Sequence, residues 1–144
     1  MAALVGQIYR HAGFYVDLQT GALKAKYFLV LAAPPGCDIV VRLLTSRYPG
    51  YRSELPPCCH DDPYPGFYLG IPGYELSKKT WLDLRGADDL DPWDFDRDRS
   101  EGRIRAVQTL PVELFKAALA CAANADDTTK HQERLIRDTL AGLD

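Results

Sequence analysis

The sequence has no long hydrophobic run. Its longest apolar stretch, residues 27–35, has the length of a β-strand and falls far short of the ~20 residues that cross a bilayer. The start of the chain also lacks a basic segment followed by an apolar stretch and a cleavage site, which is the pattern of a signal peptide. We therefore expect a cytoplasmic protein that does not contact a membrane.

Cysteine is scarce, with four residues in the whole chain. In a reducing cytosol we expect these cysteines to be thiols rather than a disulfide framework. Cys58, Cys59 and His60 are consecutive, but adjacent cysteines point poorly at one metal ion, and the usual Cys-x-x-Cys spacing does not occur. Cys121 falls in a helical segment and is expected to be buried. We therefore predict no metal site and no cofactor.

Neither sign of charge dominates the chain, whose formal net charge is -3. The two parts differ, however, because residues 1–52 carry six cations and two acids, whereas residues 53–144 carry 11 cations and 18 acids. A phosphate-bearing ligand would prefer the first part, and an acidic or basic protein partner could use either.

Short stretches rich in aromatic and β-branched residues predict about six β-strands before two C-terminal helices. The strands are expected at residues 6–10 continued by 14–16, then at 27–31, 39–44, 67–71, 80–84 and 104–107. A short helical turn is expected after Pro92. Pro111 suits a first helical turn, and Asp126 or Asp127 is expected to cap the last helix. Strands followed by helices predict an α+β fold in a single domain over residues 1–144.

The segment 46–66 has five prolines and no hydrophobic period. Long structureless segments in compact domains are usually functional or mobile. This one interleaves cations with rings, at Arg47, Tyr48, Arg52 and Tyr64. Bases stack on such rings while cations hold the nucleic-acid backbone, at ~1–3 kcal/mol per stacked base. The alternative is that the tyrosines cover the domain and the prolines stiffen the loop.

Cleavage of RNA by its own 2′-hydroxyl needs a cation beside the phosphate and a positioned acid or base. Thr45 could donate a hydrogen bond to a phosphate oxygen, and His11 and His60 titrate near neutral pH. The candidate phosphate cations are Lys24, Lys26, Arg42, Arg47 and Arg52. Each candidate also has a structural interpretation, as a solvated surface cation or an ordinary strand residue.

The order of these segments resembles the MazF/PemK family of toxin–antitoxin ribonucleases, over residues 6–123. Gly6-Gln7-Ile8-Tyr9 corresponds to the family's opening strand, residues 26–31 to its Arg-Pro strand, and residues 40–46 to a strand ending in Thr-Ser. Residues 81–85 and 110–114 resemble a later strand and the start of the C-terminal helix.

This resemblance implies a small antiparallel SH3-like β-barrel at about residues 4–108, with C-terminal helices at about 111–123 and 127–142. The last helix is an addition to the family pattern. The resemblance also implies a type II toxin: a homodimeric endoribonuclease (mRNA interferase) that cleaves single-stranded RNA without metal and is neutralised by an antitoxin protein.

Carried over position by position, the family's catalytic residues become Lys26 and Thr45. Lys26 stands where the family has Arg, which offers a planar fork rather than a point charge. The predicted substrate-binding residues are Lys24, Arg47, Tyr48, Arg52, His60 and Tyr64. Two alternatives remain open: a catalytically inactive barrel that binds or poisons a protein target, as the related CcdB group does, and an unrelated barrel that serves only as an interaction protein.

Overall fold

The computed structural model describes residues 3–47, 54–61 and 64–143. The described residues form seven strands and three helices. The strands are β1 (Gln7–Val16), β2 (Leu23–Ala32), β3 (Val40–Thr45), β4 (Cys58–Cys59), β5 (Gly66–Gly70), β6 (Thr80–Asp83) and β7 (Ile104–Thr109). The helices are α1 (Pro92–Ser100), α2 (Val112–Ala123) and α3 (Lys130–Gly142). None of these helices combines the length and the apolar character that crossing a membrane requires.

All seven strands belong to one antiparallel sheet, in the order β4-β5-β6-β3-β2-β1-β7. Within the described ranges, the outer strands β4 and β7 do not pair with each other, so the sheet is open. The predicted α+β class with an antiparallel sheet is therefore confirmed. Closure into an SH3-like barrel is not.

The second half of strand β2 is buried on both faces, which explains its unbroken apolar run. Leu29 and Leu31 belong to a core shared with α2 and α3. Phe28 and Val30 point the other way, into a second core that includes Phe95 of α1. Because alternate side chains of a strand face opposite sides, a strand covered on both sides has no polar alternation.

The C-terminal helices pack together on one face of the sheet. Phe115 and Leu119 of α2 lie in the same buried cluster as Ile136 of α3, which is fully buried. Ala118 and Ala122, one helical turn apart, are also fully buried. Each of the two helices thus buries an apolar face against the sheet.

The structure corrects several predicted boundaries. Strand β2 begins at Leu23 rather than at residue 27, so Lys24 and Lys26 lie within the strand. The segment after Pro92 forms a nine-residue helix, because Asp91 accepts hydrogen bonds from two amides of its first turn. The long segment 46–66 contains the short strand β4.

The cap of α3 also differs from the prediction. Thr129, not Asp126 or Asp127, caps this helix: its hydroxyl accepts a hydrogen bond from the Gln132 amide at 3.0 Å. The Gln132 side chain accepts one in return from the Thr129 amide at 3.1 Å, which completes a capping box.

Candidate functional site

A groove of about 620 Å³ lies against the ends of β2 and β3. Four of the predicted site residues line it, namely Lys26, Thr45, Arg47 and Tyr64. The turn at residues 75–78 and the end of β6 supply further lining side chains. These residues are dispersed in the sequence, and the sheet brings them to one place.

The pairing of β2 with β3 explains how the two predicted catalytic residues meet. Phe28 lies opposite Leu43 in this antiparallel pair. Lys26 and Thr45 each lie two residues beyond this pair, so the same strand pairing brings both residues to the groove. Lys26 is partly buried and pairs with His11 of β1, which fixes its backbone from that side.

Thr45 is the last residue of β3, and its hydroxyl takes part in the turn that follows. The hydroxyl oxygen accepts a hydrogen bond from the Arg47 amide at 3.1 Å. A hydroxyl that accepts in this way keeps its own hydrogen as a donor. Thr45 can thus donate to an anionic oxygen in the groove while the same bond positions exposed Arg47 close by.

A carboxylate that was not foreseen from the sequence stands at the groove wall. Glu75 accepts hydrogen bonds from Arg105 at 2.8 and 2.9 Å and from the Tyr27 hydroxyl at 2.8 Å. These bonds, first that from Arg105 and then that from Tyr27, lower the pKa of Glu75 below its ordinary value. The pKa of Tyr27 is raised, first by burial and then by the bond to Glu75. At neutral pH Glu75 is therefore ionised and Tyr27 is protonated.

The opposite wall contains an arginine that links two other lining residues. Arg85 donates to the Asp83 carboxylate at 2.7 and 3.1 Å, and its guanidinium lies 3.8 Å from the centre of the Tyr64 ring. A base that stacks on Tyr64 must therefore use the other face of the ring. Among the described residues, the charged side chains that line the groove are four cations and two carboxylates: Lys26, Arg47, Lys78, Arg85, Glu75 and Asp83. Their balance favours an anionic ligand.

Two further predicted site residues that the structure describes, Lys24 and His60, do not line this groove. Lys24 is exposed on β2 opposite Tyr15, which does line it. His60 lies on another part of the surface, beside the end of α2. Tyr48 and Arg52 fall outside the described residues.

Arg42 was a candidate phosphate cation, but its side chain is fully buried. It donates to the Val41 carbonyl at 2.8 Å and to the Gln132 side chain at 3.0 Å. Burial lowers the pKa of Arg42. Nearby carboxylates, Asp89 most strongly, act in the opposite direction and raise it. This arginine fastens α3 to the sheet and cannot reach a ligand in the groove.

His11 was a candidate acid or base in the sequence. Its Nε2 lies 3.4 Å from a carboxylate oxygen of Asp98, and its ring contacts Phe14 edge to face. It is not among the residues that line the groove. His11 therefore has a structural contact rather than a place beside the predicted catalytic pair.

The cysteines depart from the expectation that all four are thiols. Cys58 of β4 is joined to Cys121 of α2 in a disulfide, whereas Cys37 and Cys59 are free. His60 lies against this pair: the donor atoms of Cys58, His60 and Cys121 are all within 4.8 Å of one another. Sequence spacing missed this cluster because 63 residues separate its two cysteines.

Glu75 was missed for a related reason. Residues 71–73 read as turn chemistry, and the structure has a tight turn there, closed by hydrogen bonds of 2.9 Å in both directions between Gly73 and Leu76. That turn brings Glu75 against Tyr27 of β2, a contact across 48 positions that no local pattern signals.

Comparison of the chain with models of protein families, with curated proteins and with solved structures found no match. The proposal for its function therefore rests on the chemistry of the groove and on the resemblance seen in the sequence.

Proposed function

We propose that the groove binds single-stranded RNA and cleaves it without a metal ion, in the manner of the MazF/PemK toxins. The observation that supports this proposal is the convergence of Lys26, Thr45, Arg47 and Tyr64 in one groove. Two of these are cations that suit a phosphate, one is a hydroxyl donor, and one is a ring that suits a base.

The proposed chemistry uses the charges of the groove. As the 2′-hydroxyl attacks the phosphorus, negative charge grows on the phosphate oxygens, and Lys26 and Arg47 stabilise it. Thr45 donates a hydrogen bond to one of these oxygens. The 5′-oxygen that leaves needs a proton, which Tyr27 can supply only when its hydroxyl gives up the bond to Glu75. The raised pKa of Tyr27 makes it a weak acid for this step.

The base is the weaker part of this machinery. Glu75 can accept the proton of the 2′-hydroxyl, but its lowered pKa makes it a poor base. No histidine is present among the described residues that line the groove. We therefore expect the groove to act mainly by stabilising charge, and to cleave slowly.

The rest of the proposal follows the family resemblance. It comprises a cytoplasmic location, closure of the sheet into an SH3-like barrel, a homodimer, and an antitoxin protein that blocks the groove. The alternative is a catalytically inactive module that binds a protein in the same groove. The carboxylates of Glu75 and Asp83 support this alternative, because they would attract the cations of a bound peptide.

The test is cleavage of a mixed-sequence single-stranded RNA in EDTA by the purified protein. We expect cleavage by the wild type and its loss in Lys26→Ala and Thr45→Ala. Lys26→Arg restores the planar fork of the family and should cleave faster than the wild type. Lys130→Ala is the matched control, since Lys130 is an exposed lysine at the start of α3.

RNA affinity measured against salt concentration distinguishes binding from catalysis. Each phosphate contact contributes a slope of ~0.7 for a single strand, so Lys26→Ala should lower the slope by about that amount. RNA binding with this slope but no cleavage would favour the inactive module. A folded wild type that neither binds nor cleaves RNA would refute the proposal, and so would cleavage that both alanine variants retain.

A further inference from the structure

A second site lies where β4 meets α2, away from the groove. We propose that Cys58, His60 and Cys121 bind a zinc ion once the disulfide between Cys58 and Cys121 is reduced. Two thiolates and a neutral imidazole are ligands that Zn²⁺ prefers, and three protein ligands leave a fourth position for water. Among the described residues, these three are the group whose donor atoms lie close enough together to hold one ion.

The distances from the histidine support this ligand set. His60 Nε2 lies 3.6 Å from Cys58 Sγ and 3.5 Å from Cys121 Sγ. A tetrahedral zinc ion with bonds of about 2.3 Å to sulfur and about 2.0 Å to nitrogen holds the two ligand atoms about 3.6 Å apart. The imidazole nitrogen is therefore already at the zinc-ligand distance from both sulfur atoms.

The helix end favours a cation at this point. His60 Nε2 also lies 3.1 Å from the carbonyl oxygen of Cys121, in the last turn of α2. The carbonyl can only accept, so zinc binding by Nε2 replaces this hydrogen bond and requires the imidazole hydrogen on Nδ1. Backbone carbonyls at the C-terminus of a helix carry partial negative charge, and the last turn of α2 has no basic side chain that would occupy this field. Cys121 is buried, whereas His60 is exposed. The ion would therefore be shielded from solvent on the side of Cys121 and accessible to solvent on the side of His60.

The site needs a change of redox state before it binds metal. A cellular dithiol reduces the Cys58–Cys121 bond: the dithiol becomes a cyclic disulfide, and the protein gains two thiols. Zn²⁺ then replaces the two thiol protons, which are released to solvent. In a reducing compartment a disulfide of this kind is usually transient or redox-sensing rather than permanent.

Either state joins the same two elements. The disulfide links β4, at the edge of the sheet, to α2, and zinc would hold the same connection after reduction. The reduced, metal-free protein lacks both links, so it should be the least stable of the three forms. Zinc should raise its melting temperature, because a ligand that binds only the folded state stabilises that state.

The experiment uses the full chain, reduced with a dithiol and separated from it under nitrogen. Zinc chloride is titrated by calorimetry, bound zinc is counted by atomic spectrometry, and melting is followed by circular dichroism. We expect one zinc ion per chain, proton release, and a higher melting temperature in the reduced protein, with no binding to the oxidised protein.

The variants assign the ligands. Loss of a residue that only hydrogen-bonds to a metal ligand weakens metal binding by about 10–100-fold. Cys58→Ser and His60→Gln should each weaken zinc binding by more than this, because each removes a ligand. Cys37→Ser and Cys59→Ser are matched controls, since both cysteines are free, and should bind zinc as the wild type does. His60→Gln alters an exposed side chain, so it decides the question if Cys58→Ser does not fold.

Absence of zinc binding by the reduced, folded wild type would overturn the proposal. Equal binding by the oxidised protein would do the same, since a disulfide sulfur carries no thiolate charge. Loss of binding in Cys59→Ser would show that the ligand set is wrong.

Discussion

Replacing Gln132 by alanine tests the contact that fastens α3 to the sheet. Gln132 is 6% exposed and stands in the first turn of α3. Its side-chain oxygen accepts from Arg42 at 3.0 Å and from the Thr129 amide at 3.1 Å, and its nitrogen donates to Asp89 at 2.8 Å. Alanine removes all three bonds and leaves the buried guanidinium with one fewer acceptor.

The expected loss follows from the number and type of these bonds. A neutral hydrogen bond contributes about 1 kcal/mol net, and one to a charged group contributes about 1.5–3 kcal/mol. One bond here is neutral and two involve charged partners, one of which, Asp89, is only partly buried. We therefore expect Gln132→Ala to lower the free energy of unfolding by about 3–4 kcal/mol, a large part of the stability of a domain of this size.

Urea denaturation followed by circular dichroism measures this loss as a lower midpoint at unchanged slope. Gln19→Ala is the control, because Gln19 lies in an exposed turn and its replacement should change stability by less than about 0.5 kcal/mol. A loss below about 1 kcal/mol in Gln132→Ala would refute the reasoning and show that Arg42 finds another acceptor.

Two further perturbations probe backbone conformation and charge. Gly6 and Gly21 both have positive φ, but a Cβ at Gly6 would lie 3.3 Å from the Phe115 ring, whereas one at Gly21 would meet nothing within 4 Å. Gly6→Ala should therefore destabilise the protein by about 1–3 kcal/mol more than Gly21→Ala in urea denaturation, and equal losses would contradict this contact. The lowered pKa of Glu75 adds stability that is present above the ordinary carboxyl pKa and is lost as pH falls through the lowered one. Arg105→Ala should raise the pKa of Glu75 in a carboxyl NMR titration, and an unchanged value would mean that Arg105 is not its main partner.

The sequence predicted correctly those elements of the fold that depend on patterns of neighbouring residues. The aromatic and β-branched runs correctly predicted most strands, and the helical period predicted α2 and α3. The position of the last cap was wrong because Asp126, Asp127 and Thr129 all suit a cap by residue type. The structure selects Thr129, whose partner Gln132 is also held by Arg42.

Four of the predicted site residues line one groove because strand pairing brings distant segments together. Lys26 and Thr45 were linked through a family pattern, and the pairing of β2 with β3 brings both to the same groove. Arg42 has the same residue type as exposed Arg47, yet it is buried under α3. Charge alone does not tell which cation reaches solvent, because this depends on which elements cover the strand.

By itself, the sequence determined the α+β class, the approximate positions of most elements, and the supply of cations and rings in its first half. Those features depend on local propensity and period, which neighbouring residues decide. Only the tertiary structure decided that the sheet is open in its described part, that Glu75 meets Tyr27, and that Cys58 and His60 meet Cys121. Each of these contacts joins residues far apart along the chain, and the register of strands and the docking of helices bring them together.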